Sequence, residues 1–245
     1  MSDIPSVPKT KIAVCYWGLI RTLREVYPSQ KKYVFDELDN AGIEYDIYLH
    51  TWKADRQLVW DRLTTIPADY SGIDIVKPVA SQIDTQSDYL NTIHFPNYYN
   101  PYEYEWEPQL ILNHLCALES QKRSTEMCLN SGKTYDYVMF LRPDALVNNR
   151  LPVETIFTED FSKNKIAIAD FEHWEGYNDR FAILPYDTVK PYSHRIDDII
   201  EFRRTCGRIV SEKYVKHVVD KHYTVKLFDF HFDLLRPDGK LNGNF

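Results

Sequence analysis

The chain has 245 residues, 44% of them hydrophobic, which is enough apolar material for one large α/β domain or two small ones and excludes a disordered chain. Its formal net charge of −7 excludes a broad surface for a phosphate backbone, so no nucleic-acid partner is expected. A small phosphorylated ligand stays open, because one or two arginines suffice for it.

The opening "MSDIPSVPKTK" is polar, and no stretch is long and apolar enough to span a bilayer, so a soluble, cytoplasmic protein is expected. "KIAVCY" (11–16) reads as a buried first strand, followed by the loop "WGLIRTL". A helix is expected from Pro28-Ser29 to near Gly42. "YDIYLHTW" (45–52) reads as a second strand and "GIDIVKPVA" (72–80) as a third; strand, helix, strand at this spacing is the pattern of a parallel sheet. Residues 81–107 carry little periodicity and contain "HFPNYYNPYEYEWEP", an aromatic loop of the kind that often serves a site. Pro108 opens a helix to about Ser131, with Gly132 as its stop. "YDYVMFL", "KIAIAD" (165–170) and "DRFAIL" read as strands, 187–206 and 211–222 as helices with Ser211 as a cap, and "TVKLFDFHFDLL" as one closing strand. Cys15, Cys116, Cys128 and Cys206 form no CxxC pair and no zinc spacing, so reduced thiols are expected. With no linker in evidence, one domain over 1–245 is the simplest reading, its nucleotide-binding part about 10–147 and its acceptor-side part about 148–245.

The word "LRPD" occurs twice, ending at Asp144 and at Asp238. In the second, Pro, Asp and Gly stand where a type I turn wants them, and a structural role is expected for Asp238. The first lacks the glycine and ends a strand. Strand ends line the ligand crevice of an open α/β sheet, and an acid there can hold a metal that in turn holds a diphosphate. The plain alternative pairs Asp144 with Arg142 or uses it in a local turn. On the ligand reading, Asp144→Asn abolishes turnover and leaves the melting temperature nearly unchanged. Gly18 and Arg21, after the first strand, offer close backbone approach and a bidentate phosphate contact; a solvated or capping arginine is the alternative. His50, Thr51 and Trp52 end the second strand on the same edge, where packing is the alternative to a ligand. "HWEGYNDRF" (173–181) gathers Trp174, Glu175, Tyr177 and Asn178 as acceptor-side candidates, and Asp179 as a catalytic base for a hydroxyl. An Asp179–Arg180 surface pair or a turn is the alternative there. His231 in "DFHFD" has Asp229 and Asp233 on its own face of the closing strand, two residues away on either side; a histidine satisfied within the structure is the alternative.

Four of these segments resemble, in order, a family of bacterial and viral glycosyltransferase-like proteins: "KIAVCYWGLIRTL", "YDIYLHTW", "YDYVMFLRPD" and "GYNDRFAIL" are similar to its G-x-x-R, D-x-F-x-H-T-W, R-x-D and D-x-F segments. The resemblance implies a GT-A fold, a Rossmann-like α/β/α sandwich with a mostly parallel central sheet. It implies a nucleotide-sugar donor, UDP- or GDP-linked, and a glycan or other hydroxyl acceptor. Arg142 and Asp144 then belong to the nucleotide-sugar site. A manganese or magnesium ion is implied as well, held by Asp144 and, as in some GT-A enzymes, by a C-terminal histidine, here His231. The matching place reads Arg142-Pro143-Asp144, with one acid where many GT-A enzymes have Asp-x-Asp. A GT-A-like module that binds nucleotide or sugar without turnover is one alternative. A Rossmann-type NAD or S-adenosylmethionine enzyme is another, but the loop after the first strand has no G-x-G-x-x-G.

Overall fold

A computed structural model of the chain describes residues 10–53, 56–58, 65–67, 69–103, 108–158, 161 and 164–241. β1 (Lys11–Tyr16) is buried at five of its six residues. The helical stretch after it starts earlier than expected: α1 (Leu23–Gln30) holds Pro28 inside it, a π-helical turn follows at Lys31–Phe35, and α2 (Asp36–Asn40) closes it. Proline lacks an N–H and crowds the carbonyl a turn before it, and the π-helical turn directly downstream takes up the misfit in the ladder. β2 (Glu44–Lys53) then runs parallel to β1. β3 (Arg56–Leu58) and β4 (Thr65–Pro67) form a small antiparallel pair.

The strand expected over 72–80 is instead a short helix, α3 (Ile73–Val76), and the third strand of the sheet is β5 (Ala80–Thr85). Lys77 ends α3 in the left-handed region, φ 47°, where the following Pro78 forbids another helical residue. β5 and α4 (Gln86–Asn91) occupy the first part of what reads as a long loop. Of the aromatic stretch beyond, Phe95, Tyr98 and Tyr99 pack on the core beneath α5 (Pro108–Leu129), and residues 104–107 lie outside the described residues.

The second half supplies β6 (Tyr137–Leu141), β7 (Ala145–Val147), α6 (Val153–Ile156), β8 (Lys165–Ala169) and β9 (Ala182–Pro185). The helix expected over 187–206 is broken into turns and two helices, α7 (Lys190–Ser193) and α8 (Ile199–Cys206). α9 (Ser211–His222) follows, without the side-chain cap expected of Ser211, whose hydroxyl donates to Glu212 instead. The closing strand is two strands, β10 (Thr224–Phe228) and β11 (Phe232–Leu234).

One seven-stranded sheet runs in the order β10-β8-β9-β6-β1-β2-β5, parallel except for β9, which is antiparallel to both neighbours. β1 alternates between two cores: Ile12, Val14 and Tyr16 pack with α1 residues on one face, and Ala13, Cys15 and Trp17 with α5 and α9 residues on the other. The result is a three-layer α/β/α arrangement with a mostly parallel sheet. β11 leaves that sheet and pairs antiparallel with β7, Leu234 opposite Ala145. From β1 the strand order turns one way to β2 and β5 and the other way to β6. The crevice at such a reversal, beyond the carboxyl ends of the strands, is where open α/β sheets bind ligands. The residues that enter it are those after Tyr16 and after Leu141.

Candidate active site: an arginine cluster at the sheet reversal

Asp144 is fully buried, and Arg142 donates to both its oxygens at 2.8 Å. Two further guanidiniums converge on the same carboxylate, Arg21 at 3.6 Å and Arg236 at 3.9 Å, each about 15% exposed. Burial alone would push the Asp144 carboxyl up; Arg142, Arg21 and Arg236 outweigh it and hold it well below the usual carboxylate range. Burial pulls Arg21 down to about 10, with repulsion from Arg236 and Arg142 opposing the help of Asp144. The Arg142 guanidinium also lies over the Trp17 ring, 5.3 Å from its centroid. Two buried donors of the β1 loop, the Trp17 indole N–H and the Arg21 Nε, make no hydrogen bond.

Buried polar side chains hold this corner from behind. Gln30 accepts from the Tyr16 hydroxyl at 2.6 Å and donates to the carbonyls of Arg142 and Ala145, so α1 fixes the ends of β1 and β6 together. Gly18, at φ 99°, donates its N–H to Ser120 Oγ at 2.8 Å, a turn that favours glycine. Ile20 donates to Thr51 Oγ1, and Thr22 Oγ1 donates to the carbonyl of Leu235. Leu235 in turn donates its N–H to the carbonyl of Asp144, and the register of β11 on β7 thus brings the second LRPD word against the first.

A second group of charges lies alongside. The loop between β8 and β9 is clamped to the start of α9. Tyr177 donates to the carbonyl of Glu212, and a Cβ on Gly176 would sit 1.9 Å from that oxygen, so only glycine fits. Glu172 and Trp174 of this loop are in the left-handed region, at φ 48° and 47°, a strain that clusters at functional sites. Asp179 is 17% exposed, with Arg180 at 3.8 Å. Arg180 is also paired with Glu172. Burial pushes the Asp179 carboxyl up, against the attraction of Arg142 and Arg195; burial and the charge of Asp179 push Glu212 up as well.

Of the residues singled out from the sequence, Arg21, Arg142 and Asp144 meet at one place, with Asp179 close enough to Arg142 to act on its charge, while Gly18 shapes the same loop through its bond to Ser120. His50, Thr51 and Trp52 are buried to 1% or less. They pin the β1 loop or fill the core: His50 bonds Ser120 at 2.7 Å and Asp84 at 3.1 Å, and Trp52 donates to the Cys116 carbonyl and stacks on Tyr89. Asn178 is likewise buried, donating to the Phe171 carbonyl and accepting from the Arg180 N–H. Trp174 is 73% exposed and Glu175 pairs with Arg208, so these two stay on the outer side of the loop, whereas Tyr177 packs on the core beneath Lys216.

His231 does not share a strand face with Asp229 and Asp233, because residues 229–231 join two strands; it is half-exposed, 3.0 Å from Asp229 and against the Phe171 ring. As a holder for the divalent ion that the resemblance implies, Asp144 is a poor match: both its oxygens are taken by Arg142 and two more cations crowd it. Among the described residues no group of three or more His, Cys, Asp or Glu side chains is placed to hold a metal ion. Nor, at 0% exposure and with a bidentate partner, is Asp144 free of a structural load, so an Asn there costs stability and the melting temperature does not stay unchanged. The second word was expected to be a turn, and Asp238 is: it accepts from the Lys240 N–H, with Gly239 at φ 80°. Its arginine and Glu212 are not singled out by the sequence, and Arg180 only as a partner for Asp179. The repetition of the word was the available signal for Arg236; Glu212 looks like any acid in a first helical turn.

No family model matches the chain, and no curated protein matches it. Among solved structures, the chain is similar to the apo-form glycosyltransferase GlyE of Streptococcus pneumoniae TIGR4, 11% identical over 89% of this chain and 45% of that one, TM-score 0.43. It is similar to apo mouse xyloside xylosyltransferase 1, 10% identical over 91% of this chain and 86% of the other, TM-score 0.45. An active-site mutant of LgtC is a third, 9% identical over 88% and 72%, TM-score 0.46. The chain thus spans less than half the length of the pneumococcal protein. Likenesses this shallow carry no weight for chemistry. Among the described residues no helix is long and apolar enough to cross a membrane.

Proposed function

We propose that this chain is a GT-A-like glycosyltransferase that moves a sugar from a nucleotide-sugar donor, UDP- or GDP-linked, to the hydroxyl of a glycan or other acceptor. The observation that carries the reading is the buried arginine cluster around Asp144 at the reversal of the sheet, where a diphosphate fits both by position and by charge. The ordered resemblance of four segments of the sequence supports the same reading. The donor's diphosphate lies in the arginine cluster and its sugar points toward the loop that carries Asp179. Asp179 takes the proton of the acceptor hydroxyl as that oxygen bonds the anomeric carbon. The bond from this carbon to the diphosphate breaks, and the leaving diphosphate departs with its charge held by guanidiniums. Trp174 and Glu175, on the outer side of the loop, meet the acceptor.

A thermal-shift panel of UDP, GDP, NAD and S-adenosylmethionine tests the ligand class, and sugar transfer from the matching donors tests the reaction. A shift with UDP or GDP followed by transfer upholds the reading; a shift with NAD or S-adenosylmethionine alone overturns it. In Asp179→Asn, transfer collapses by about two orders of magnitude or more while donor affinity stays near wild type. The base acts only when deprotonated and its pKa is raised by burial, so the acid limb of kcat/KM lies above the range of an ordinary aspartate. An acid limb at an ordinary carboxylate value removes Asp179 from the role.

A further inference from the structure

We propose that the donor's diphosphate is bound directly by Arg21, Arg142 and Arg236 without a divalent metal, the second LRPD word supplying a ligand-binding arginine to the same site as the first. The proposal rests on the nucleotide-sugar reading above. A diphosphate needs its charge answered either by a cation held on acids or by guanidiniums. The groups present are of the second kind. Arg142 hydrogen-bonds both carboxylate oxygens of Asp144, while Arg21 and Arg236 stand 3.6 and 3.9 Å from that carboxylate, beyond hydrogen-bond distance of it.

The β1 loop adds two buried donors that no described residue satisfies, the Arg21 Nε and the Trp17 indole N–H. A buried unpaired donor is costly, and phosphate oxygens remove that cost on arrival. Acids do face the cluster: Asp179 acts on Arg142 and Asp238 on Arg236, while Glu172 pairs with Arg180. They are spread around it and are not gathered at one point. A divalent ion at Asp144 would have to displace Arg142 from both oxygens and sit among three like charges. The depressed Arg21, pulled down to about 10 by burial and by its fellow arginines, fits a cluster with an anion still to come.

Calorimetric titration of UDP, GDP, CDP and ADP, each with a chelator and again with manganese, tests this. The expected result is a nucleoside diphosphate whose affinity agrees within about threefold between the two conditions. Arg236→Ala should lower that affinity by about tenfold or more, and Arg236→Lys, which keeps the charge without the fork, by less. Inorganic diphosphate should compete in the wild type and lose strength in parallel in the variants. Affinity that falls tenfold or more in the chelator overturns the proposal and leaves the transferase reading standing. A folded Arg236→Ala chain that binds as wild type does removes the second word from the site and overturns the proposal as stated. Should Arg236→Ala not fold, the lysine variant and the wild-type chelator comparison decide. Binding of none of the four nucleotides in either condition overturns this proposal and the reading beneath it together.

Discussion

The two copies of LRPD share four residues and little else. In the first, Arg142 and Asp144 close on each other in a bidentate pair, buried at the end of a sheet strand. In the second, the acid turns to the backbone of Lys240 and the arginine reaches out to the other copy's Asp144, 3.9 Å away. The residues that follow make the difference. Ala145–Val147 continue as β7 and carry the first copy into buried structure, whereas Gly239 takes φ 80° and folds the second back on itself. Identical side chains thus acquire different surroundings from the backbone that receives them, and an arginine at a turn can still reach a carboxylate buried in another part of the chain.

The comparison breaks most sharply at the two acids. Asp144→Asn should cost about 3–5 kcal/mol, since it leaves Arg142 buried without its anion; thermal or urea melting measures it. The wild-type advantage is complete above the ordinary carboxylate range near pH 4 and is lost only as pH falls through the depressed folded value. A loss under about 1 kcal/mol would show that the buried pair is not what holds the corner. Gln30→Leu comes next, at about 2 kcal/mol, because the carbonyls of Arg142 and Ala145 and the Tyr16 hydroxyl lose their partner. The second copy is held at Leu235, by the Thr22 hydroxyl and the Asp144 carbonyl, and an effect from a change near Gly239 equal to that of Gln30→Leu would blur the distinction. Gly239→Ala should cost about 1–2 kcal/mol for its left-handed backbone, with diphosphate affinity falling alongside as Arg236 is displaced. Asp238→Asn should stay within about 0.5 kcal/mol, because an amide oxygen can still accept from Lys240.

Runs of apolar, β-rich residues made β1, β2, β6, β8 and β9 legible from the sequence, and with them the corner that holds Arg21, Arg142 and Asp144. They failed where pattern and backbone part company. "GIDIVKPVA" alternates well enough for a strand, but Pro78 and the left-handed Lys77 cut it into a helix and a connector. β5 shows no alternation, for it is an edge strand with most of its side chains exposed. Phe228, Phe230 and Phe232 keep one rhythm across a break between two strands, because all three pack around Phe181 whichever strand they belong to. The same break takes His231 out of any strand, though it keeps Asp229 as a neighbour at 3.0 Å. His50 and Thr51 were read at the right edge of the sheet, but nothing in a linear motif distinguishes a side chain that meets a ligand from one that holds the loop that does.

The three arginines stand at positions 21, 142 and 236, so the cluster cannot exist until segments from the beginning, middle and far part of the chain have all been brought together. Each such contact closes a long loop, and contacts of that kind are the slow ones in folding. A partly folded chain with β1, β2 and β6 in place would present two of the three cations and little grip on a diphosphate. Retention on an immobilised nucleoside diphosphate would therefore select finished molecules from a refolding mixture, and free ligand would drain the incomplete ones toward the native state by mass action.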